Sequence, residues 1–283
     1  MTDFKVGVMT DSFRVGVREG IMKAREVGAD GLQVWVVDGE TAPERMSPAD
    51  RGDFKAFCAG QDLLIAALCG DLGGHGFQLR EENATKVPRS KAIVDLAVDL
   101  DTQVVTTHIG VVPENRESDT YAVMVDACRE IGSYAESRNV RFAIETGPEP
   151  ASRLRRFLDD VDSAGMAVNF DPANLLMVLG ADPAEEAVIL GDHIVHTHAK
   201  DGKRYAPCDP AQVYESFAVG GIEGLNYGDY FEEVPLGQGG VDWKSYLDTL
   251  RKIGYSGFLT IEREVGESPE EDIRQAVEFL RAL

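Results

Sequence analysis

Positive charge and cysteine are both scarce in this chain. Its 283 residues include 28 lysines and arginines against 49 aspartates and glutamates, for a formal net charge of −21. Such a field repels phosphate backbones and anionic membranes, so we expect neither nucleic acid nor a membrane as a partner. The simplest interpretation of the acidity is a solvated surface. The four cysteines (Cys58, Cys69, Cys128 and Cys208) lack CxxC spacing, which favours buried free thiols over a zinc or redox motif.

Long apolar runs are also missing. No stretch approaches the ~20 apolar residues that span a bilayer. The amino-terminal segment MTDFKVGVM has a single lysine and lacks the apolar run and cleavage site of a signal peptide. We therefore expect a soluble, cytoplasmic protein. The turn after the first strand, MTDSFRVG, has no GxGxxG pattern, which disfavours a dinucleotide-binding open sheet.

Short apolar, β-branched runs alternate with longer segments of helical spacing. We predict strands at 4–9, 31–36, 63–68, 103–107, 140–144, 166–170, 194–197 and 257–261. We predict helices at 16–27, 48–59, 84–100, 120–137, 153–161, 173–179, 183–190, 243–253 and 269–282. Eight successive βα units with near-continuous apolar strands predict an α/β protein, a single (β/α)₈ TIM barrel over residues 1–283. A doubly wound open sheet is the main alternative, although it usually has fewer strands.

One connection in this barrel is unusually long. Residues 201–240, after the seventh strand, are rich in glycine, tyrosine and acidic groups. A connection of this length is too long for a plain loop and is usually functional. We predict an irregular insertion that acts as a lid, a subunit contact or both.

Polar side chains follow the later strands, at the barrel end where catalytic groups of this fold lie. They are His108, Glu145, Asp171, His198 and Glu262, after strands four to eight in that order. Each alone has a structural explanation; Asp171, before Pro172, is a good helix N-cap. Together, three carboxylates and one imidazole on one face predict a site for one divalent metal, bound through Glu145, Asp171, His198 and Glu262. Oxygen-rich ligands with one imidazole suit Mn²⁺, Mg²⁺, Co²⁺ or Zn²⁺.

Two further histidines have open assignments. His196 lies on the same side of its strand as His198 and competes with it as a ligand, and a core histidine is the alternative. His75, in the loop LGGHGF after strand three, is expected either at the mouth of the barrel or in an ordinary turn.

Five segments of the chain resemble the xylose isomerase-like barrel superfamily of sugar isomerases and epimerases. They are FAIETGPE, NFDPANL, VHTHAKDGKR, VPLGQGGVDW and GYSGFLTIERE, and the resemblance extends over essentially the full length. In the ketose 3-epimerase and inosose dehydratase or isomerase branches, the metal ligands are Glu, Asp, His and Glu at the ends of strands five to eight. These positions match Glu145, Asp171, His198 and Glu262 here. We expect Mn²⁺ first among the candidate metals.

The resemblance also implies roles for single residues. Glu145 and Glu262 would form the acid–base pair of the epimerases, and Arg204 matches an arginine that contacts substrate. Asn174 departs from the pattern, because several epimerases have histidine there. Lys200 and Asp201 look more like the inositol-catabolism relatives, so the substrate and the reaction stay open. Relatives are commonly dimers or tetramers, which implies a homo-oligomer.

The chemistry shared by these relatives is proton abstraction beside a carbonyl, through a metal-stabilised enediolate. His108, Lys200 and Arg204 are expected to contact hydroxyls or to stabilise the enediolate oxygen, and Asn174 and His75 to line the substrate site. Trp35 and Phe13 would form an apolar wall against a sugar, or else pack in the core.

We expect a sugar isomerase or epimerase acting on a small sugar or keto-sugar. A lyase or dehydratase that eliminates from a keto-sugar, a 3-keto-glycoside or an inosose is the alternative. An endonuclease IV-like hydrolase shares the barrel, but five histidines and a net charge of −21 argue against it. A non-catalytic sugar-binding protein is compatible with the same fold.

Overall fold

The computed structural model describes residues 4–283, and the strands of this part form two sheets. The strands are β1 (Lys5–Met9), β2 (Gly31–Trp35), β3 (Leu64–Cys69), β4 (Val104–Thr107), β5 (Arg141–Glu145), β6 (Met166–Phe170), β7 (Ile194–Ala199), β8 (Asp201–Arg204), β9 (Phe231–Val234) and β10 (Phe258–Ile261). In the described chain, eight of them close a parallel barrel in the order β1-β10-β7-β6-β5-β4-β3-β2. The predicted (β/α)₈ barrel is confirmed.

Most of the helices cover the outside of the barrel. The helices are α1 (Val17–Glu26), α2 (Pro48–Gly60), α3 (Arg80–Asp99), α4 (Asp119–Ser137), α5 (Ala151–Val161), α6 (Pro172–Asn174), α7 (Pro183–Leu190), α8 (Pro210–Val219), α9 (Trp243–Lys252) and α10 (Pro269–Ala282). Both faces of the barrel strands are thereby buried, which is why those strands read as apolar runs. In residues 4–283, no helix combines the length and the apolar character needed to cross a membrane.

Glycine serves two different purposes at the helix ends. Gly28 and Gly254 follow α1 and α9 with φ of 85° and 83°, as expected for glycine C-caps. After α5 the left-handed position belongs to Asp162, with φ of 51°. Gly165 instead allows close packing, because a Cβ there would lie 2.0 Å from the carbonyl oxygen of Gly132.

The segment 201–240, called the insert below, is more ordered than predicted. β8 pairs antiparallel with β9, from Asp201 opposite Val234 to Arg204 opposite Phe231. Between them lies α8, whose N-cap Asp209 accepts a hydrogen bond from the amide of Ala211. The strands DGKR and FEEV are short and polar, so they carry no apolar pattern that would have revealed them.

Asp201 fixes both ends of the insert to the barrel. Its buried carboxylate accepts hydrogen bonds from the amides of Gly202, Gly237, Gly239 and Val241 and from the indole nitrogen of Trp243, at 2.9 to 3.2 Å. A Cβ on Gly239 would lie 2.0 Å from this carboxylate, which explains the glycine there. The chain therefore leaves the barrel and returns to it at one charged group.

Candidate metal centre

Four side chains from neighbouring strands converge at the carboxyl end of the barrel. Glu145 ends β5, Asp171 follows β6, His198 lies in β7 and Glu262 follows β10. One potential ligand atom of each lies within 4.8 Å of all the others. The imidazole Nδ1 of His198 is 3.6 Å from Glu145 Oε2, 3.6 Å from Asp171 Oδ2 and 3.2 Å from Glu262 Oε2. This is the set of residues that the strand ends predicted.

Two atoms of this cluster lack hydrogen bonds. Asp171 Oδ2 and His198 Nδ1 are buried and have no hydrogen-bond partner among residues 4–283. A buried polar atom left without a partner costs about 1–3 kcal/mol. A cation that accepts oxygen and nitrogen ligands would satisfy both atoms at once. Three carboxylates and one imidazole therefore fit a divalent metal such as Mn²⁺, Mg²⁺, Co²⁺ or Zn²⁺.

Asp171 has both of the roles that its sequence context allowed. Its Oδ1 accepts a hydrogen bond from the amide of Asn174 at 2.9 Å and so caps α6. Its Oδ2 is left to face the cluster. The amide of Asp171 donates to the hydroxyl of Thr146 at 2.8 Å, which ties this residue to the end of β5.

Gln33 of β2 orients the ring of His198. Its Nε2 lies 3.1 Å from Gln33 Oε1, and the Nε2 of His196 lies 3.0 Å from the same oxygen. Since the Gln33 Nε2 donates to the hydroxyl of Thr106, its oxygen is the acceptor for both rings. Each imidazole then donates from Nε2, and Nδ1 is the nitrogen of His198 that faces the carboxylates.

His196 is a core histidine outside the cluster. Burial and the neighbouring His198 lower the pKa of His196 to about 3, so its ring is neutral. Burial also lowers the pKa of His198, but Glu262 and Glu145 outweigh this effect and hold that pKa well above its ordinary value. The structure thus separates two histidines that the strand periodicity left equivalent.

The two glutamates of the cluster have different partners. Glu145 accepts hydrogen bonds from the side-chain amides of Asn174 at 3.1 Å and Asn169 at 3.2 Å. Glu262 accepts one from the ammonium group of Lys200 at 3.0 Å. Burial raises the pKa of Glu262, but Lys200 and His198 outweigh it, so the pKa lies well below its usual range. The side-chain amides that donate to Glu145 are thus neutral, whereas the donor to Glu262 is a cation.

Lys200 is a buried cation beside the cluster. It pairs with Glu262 and with Glu264, which lies at the exposed rim. Burial lowers the pKa of Lys200, but the charges of Glu262 and Glu264 raise it well above its ordinary value. The side chain is therefore an ammonium group that faces the cavity described below.

His108 supplies a second positive charge. Its Nδ1 lies 3.0 Å from Asp71 Oδ2, and its Nε2 lies 3.5 Å from Glu145 Oε1. Burial lowers the pKa of His108, yet Glu145 and Asp71 together raise it to about 10. Asp71 was not among the site residues predicted from the sequence, although it follows β3 by two residues, much as the other polar residues follow their strands.

A cavity of about 880 Å³ opens above the cluster. Of the predicted site residues it is lined by Glu145, Glu262, His108, Asn174, Lys200 and His75. His75 lies at its rim, where its Nε2 is 3.2 Å from Glu215 of α8.

Three predicted substrate contacts do not line the cavity. Phe13 packs in the hydrophobic core, which was the alternative for this residue. The indole of Trp35 donates to Asp38 at 3.2 Å. The guanidinium group of Arg204 lies against Gly180, where it would clash with an added Cβ. β8 carries Arg204 to that position because the chain turns into the insert directly after β7.

Comparisons with known proteins agree with the barrel fold. A family model described as "Xylose isomerase-like TIM barrel" matches residues 21–283. Among solved structures, a xylose isomerase domain protein from Planctomyces limnophilus is 26% identical with a TM-score of 0.79, over 99% of this chain and 96% of that one.

Two less similar structures share the fold. The probable 3-DHS dehydratase AsbF from Bacillus anthracis is 17% identical with a TM-score of 0.75, over 98% of this chain and 99% of that one. A D-psicose 3-epimerase, crystallised in the presence of D-fructose, is 15% identical with a TM-score of 0.72, over 99% of both chains.

Proposed function

The chain belongs to the xylose isomerase-like TIM barrel family, and we propose that it is a metal-dependent isomerase or epimerase of a sugar or keto-sugar. The observation that carries this proposal is the cluster itself. Two glutamates, from strands separated by β6 and β7 in the barrel, meet at one potential metal position on the floor of a large cavity. Solved structures of the same fold include a D-psicose 3-epimerase.

Glu145, Asp171, His198 and Glu262 would hold the metal. When bound there, a divalent ion polarises a substrate carbonyl as a Lewis acid. In our proposal, one glutamate removes the proton from the carbon beside that carbonyl. The other returns a proton to the opposite face, which inverts the carbon with no net gain or loss of atoms. Return at the neighbouring carbon would instead interconvert a ketose and an aldose.

Other groups of the cavity would assist this step. Lys200 and His108 place two positive charges beside the glutamates, where negative charge develops on the substrate oxygen. Asn174 and Asn169 each donate to one oxygen of Glu145 and so fix the plane of its carboxylate. Preorganised groups of this kind act without reorganisation during the reaction.

A lyase is the second candidate, favoured by Lys200. Its buried ammonium group touches Glu262 and faces the cavity, where it can stabilise an oxygen that leaves the next carbon. The same proton abstraction then expels a hydroxyl as water and forms a carbon–carbon double bond. The probable dehydratase with the same fold is in keeping with this alternative.

Deuterium uptake in D₂O tests the proposal. The Mn²⁺-loaded protein is incubated with a panel of ketoses, inososes and 3-keto-glycosides, and exchange beside the carbonyl is followed by proton NMR. We expect exchange with at least one substrate, lost in Glu262→Gln and in Glu145→Gln. Glu267→Gln is the matched control, because Glu267 lies on the same connection as Glu262 but is exposed.

The product distinguishes the two candidate reactions, since an epimer indicates an isomerase and an unsaturated ketone a lyase. A protein that binds Mn²⁺ but exchanges no proton across the panel would refute the proposed mechanism. A sugar-binding protein would then be the better interpretation.

A further inference from the structure

Four aromatic side chains of the insert line the same cavity as the metal cluster. They are Tyr214 and Phe217 of α8, Tyr227, and Phe231 of β9, and we call them the aromatic row. Their ring centroids follow one another at 5.8, 5.0 and 5.9 Å. The last two contacts are stacked, so the rings form a continuous apolar surface rather than isolated contacts.

The aromatic row begins beside the metal cluster. The ring of Tyr214 lies 6.3 Å from that of His108, which itself contacts Glu145. The phenol of Tyr214 rests on Gly147, where an added Cβ would lie 1.7 Å from its oxygen. From this inner end, successive contacts lead through Phe217 and Tyr227 to Phe231. The cavity therefore has a charged floor and an aromatic side wall.

Phe217 is left uncovered in the middle of the row. Its side chain lines the cavity, yet 57% of the residue is exposed. Large exposed apolar side chains in a concave site usually mark a ligand contact. The cavity volume of about 880 Å³ lies near the upper end of the ~300–1,000 Å³ typical of sites for drug-sized ligands. The row runs from Tyr214, beside the cluster, outward to Phe231, so its outer rings are available to a ligand larger than one sugar ring.

The charges around the row restrict what it can bind. Glu215 and Glu232, the chain neighbours of Tyr214 and Phe231, also line the cavity. Carboxylates next to the row disfavour a phosphate or another anion at this wall. A neutral ring with a flat apolar face, either a sugar or an aromatic group, suits the stacked rings and leaves its hydroxyls to the carboxylates.

We propose that the aromatic row is a second subsite, which binds a neutral ring linked to the sugar at the metal cluster. The substrate is then a glycoside rather than a free monosaccharide. This inference rests on the proposed function, since it assumes that the reacting sugar lies at the cluster.

Binding of unreactive glucosides tests the subsite without turnover. Affinities of the Mn²⁺-loaded protein for methyl β-glucoside, phenyl β-glucoside and cellobiose are measured by calorimetry. We expect phenyl β-glucoside, cellobiose or both to bind about threefold to tenfold more tightly than methyl β-glucoside. Which of the two binds more tightly identifies the second ring as aromatic or sugar.

Phe217→Ala removes the second ring of the row and is expected to abolish this preference, and Phe217→Leu to retain part of it. Val219→Ala is the matched control, since Val219 is exposed on the same helix. Equal affinities for all three ligands, or no binding of any, would overturn the proposal. So would a preference that Phe217→Ala leaves intact.

The exchange assay separates this inference from the proposed function. Exchange of free ketoses and keto-glycosides at equal kcat/KM overturns the subsite and leaves the isomerase proposal standing. A binding preference without exchange on any substrate supports the subsite and refutes the isomerase. If Phe217→Ala instead splits an oligomer in sedimentation velocity and leaves the ligand preference unchanged, a second copy of the chain covers the row and the subsite is refuted.

Discussion

Gln33 is the residue whose replacement tests most directly how the metal centre is oriented. Its side chain is fully buried, and its Oε1 accepts hydrogen bonds from the Nε2 groups of both His196 and His198. In Gln33→Leu, the leucine side chain has a volume similar to that of glutamine but offers no hydrogen-bond acceptor. Two buried N–H groups then lose their partner, and each such loss costs about 1–3 kcal/mol. We expect the free energy of unfolding of the metal-free protein to fall by about 2–6 kcal/mol.

The more informative effect of this substitution is on metal binding. Without Gln33, the Nε2 of His198 loses its acceptor on β2, and the ring is no longer fixed with Nδ1 towards the three carboxylates. Loss of the outer hydrogen-bond partner of a metal-ligating histidine typically weakens the metal about 10- to 100-fold. We therefore expect the Kd for Mn²⁺, measured by calorimetry at fixed pH, to rise by about that factor.

The matched control is Thr106→Val. Thr106 accepts the hydrogen bond from the Nε2 of Gln33, so its replacement perturbs the same side chain without removing the shared acceptor. We expect Thr106→Val to keep nearly wild-type affinity for Mn²⁺. If Gln33→Leu folds and binds Mn²⁺ as tightly as the wild type, then Gln33 does not orient His198 and the argument fails. A loss of stability with an unchanged Kd for Mn²⁺ would show only that the two buried N–H groups need an acceptor.

Three further predictions concern charge and metal. Burial raises the pKa of Glu149 from 4.5 to about 7. The stabilisation that the folded protein gains from holding this proton is therefore complete below pH 4.5 and is lost as the pH rises through 7. Glu149→Gln cannot ionise and should gain about 3 kcal/mol relative to wild type between pH 5 and pH 8 in urea unfolding; a pH-independent difference would contradict this. Asp201→Asn places an amide group against five donors and should lower the free energy of unfolding by about 3 kcal/mol. Asp242→Asn, at the exposed N-cap of α9, should be nearly neutral in the same measurement, and equal losses would disprove the special role of Asp201. Mn²⁺ at 100 times its Kd should stabilise the wild type by about 2.7 kcal/mol in thermal unfolding, an effect that EDTA reverses. Asp171→Asn should show little of this stabilisation, and a full response would exclude Asp171 as a ligand.

The strands and the four cluster residues were predictable because topology supplies most of the information. In a closed parallel barrel, all strands end on the same face, so residues far apart in sequence meet there. Glu145 and Glu262 needed no side-chain detail to be placed together. The family and the barrel fold are both confirmed.

Residues that depend on contacts between distant side chains were not predictable. Gln33 sits inside an apolar strand, and only its contact with both histidines reveals its role. Arg204 was placed by its spacing from His198, but the path of the insert carries it to Gly180. Trp35 was placed by its position at a strand end, whereas its indole is held by Asp38, three residues further on.

The insert was the least predictable part of the chain. Its strands are polar, and its pairing joins segments far apart in sequence. The N-cap at Asp209 and Pro210 was the one local signal for α8. The aromatic residues of the insert gave no sign in the sequence that they would share a wall of one cavity.

The carboxylate of Asp201 has a consequence for how such a protein diversifies. Gly202 and Gly237 both bind it, so the start and the end of the excursion are anchored at one point on the barrel. The residues between those anchors can change in length and composition without moving the strands that carry Glu145 and Glu262. Selection can thus exchange one wall of the cavity as a separable unit, while the cluster of Glu145, Asp171, His198 and Glu262 on the barrel is inherited intact.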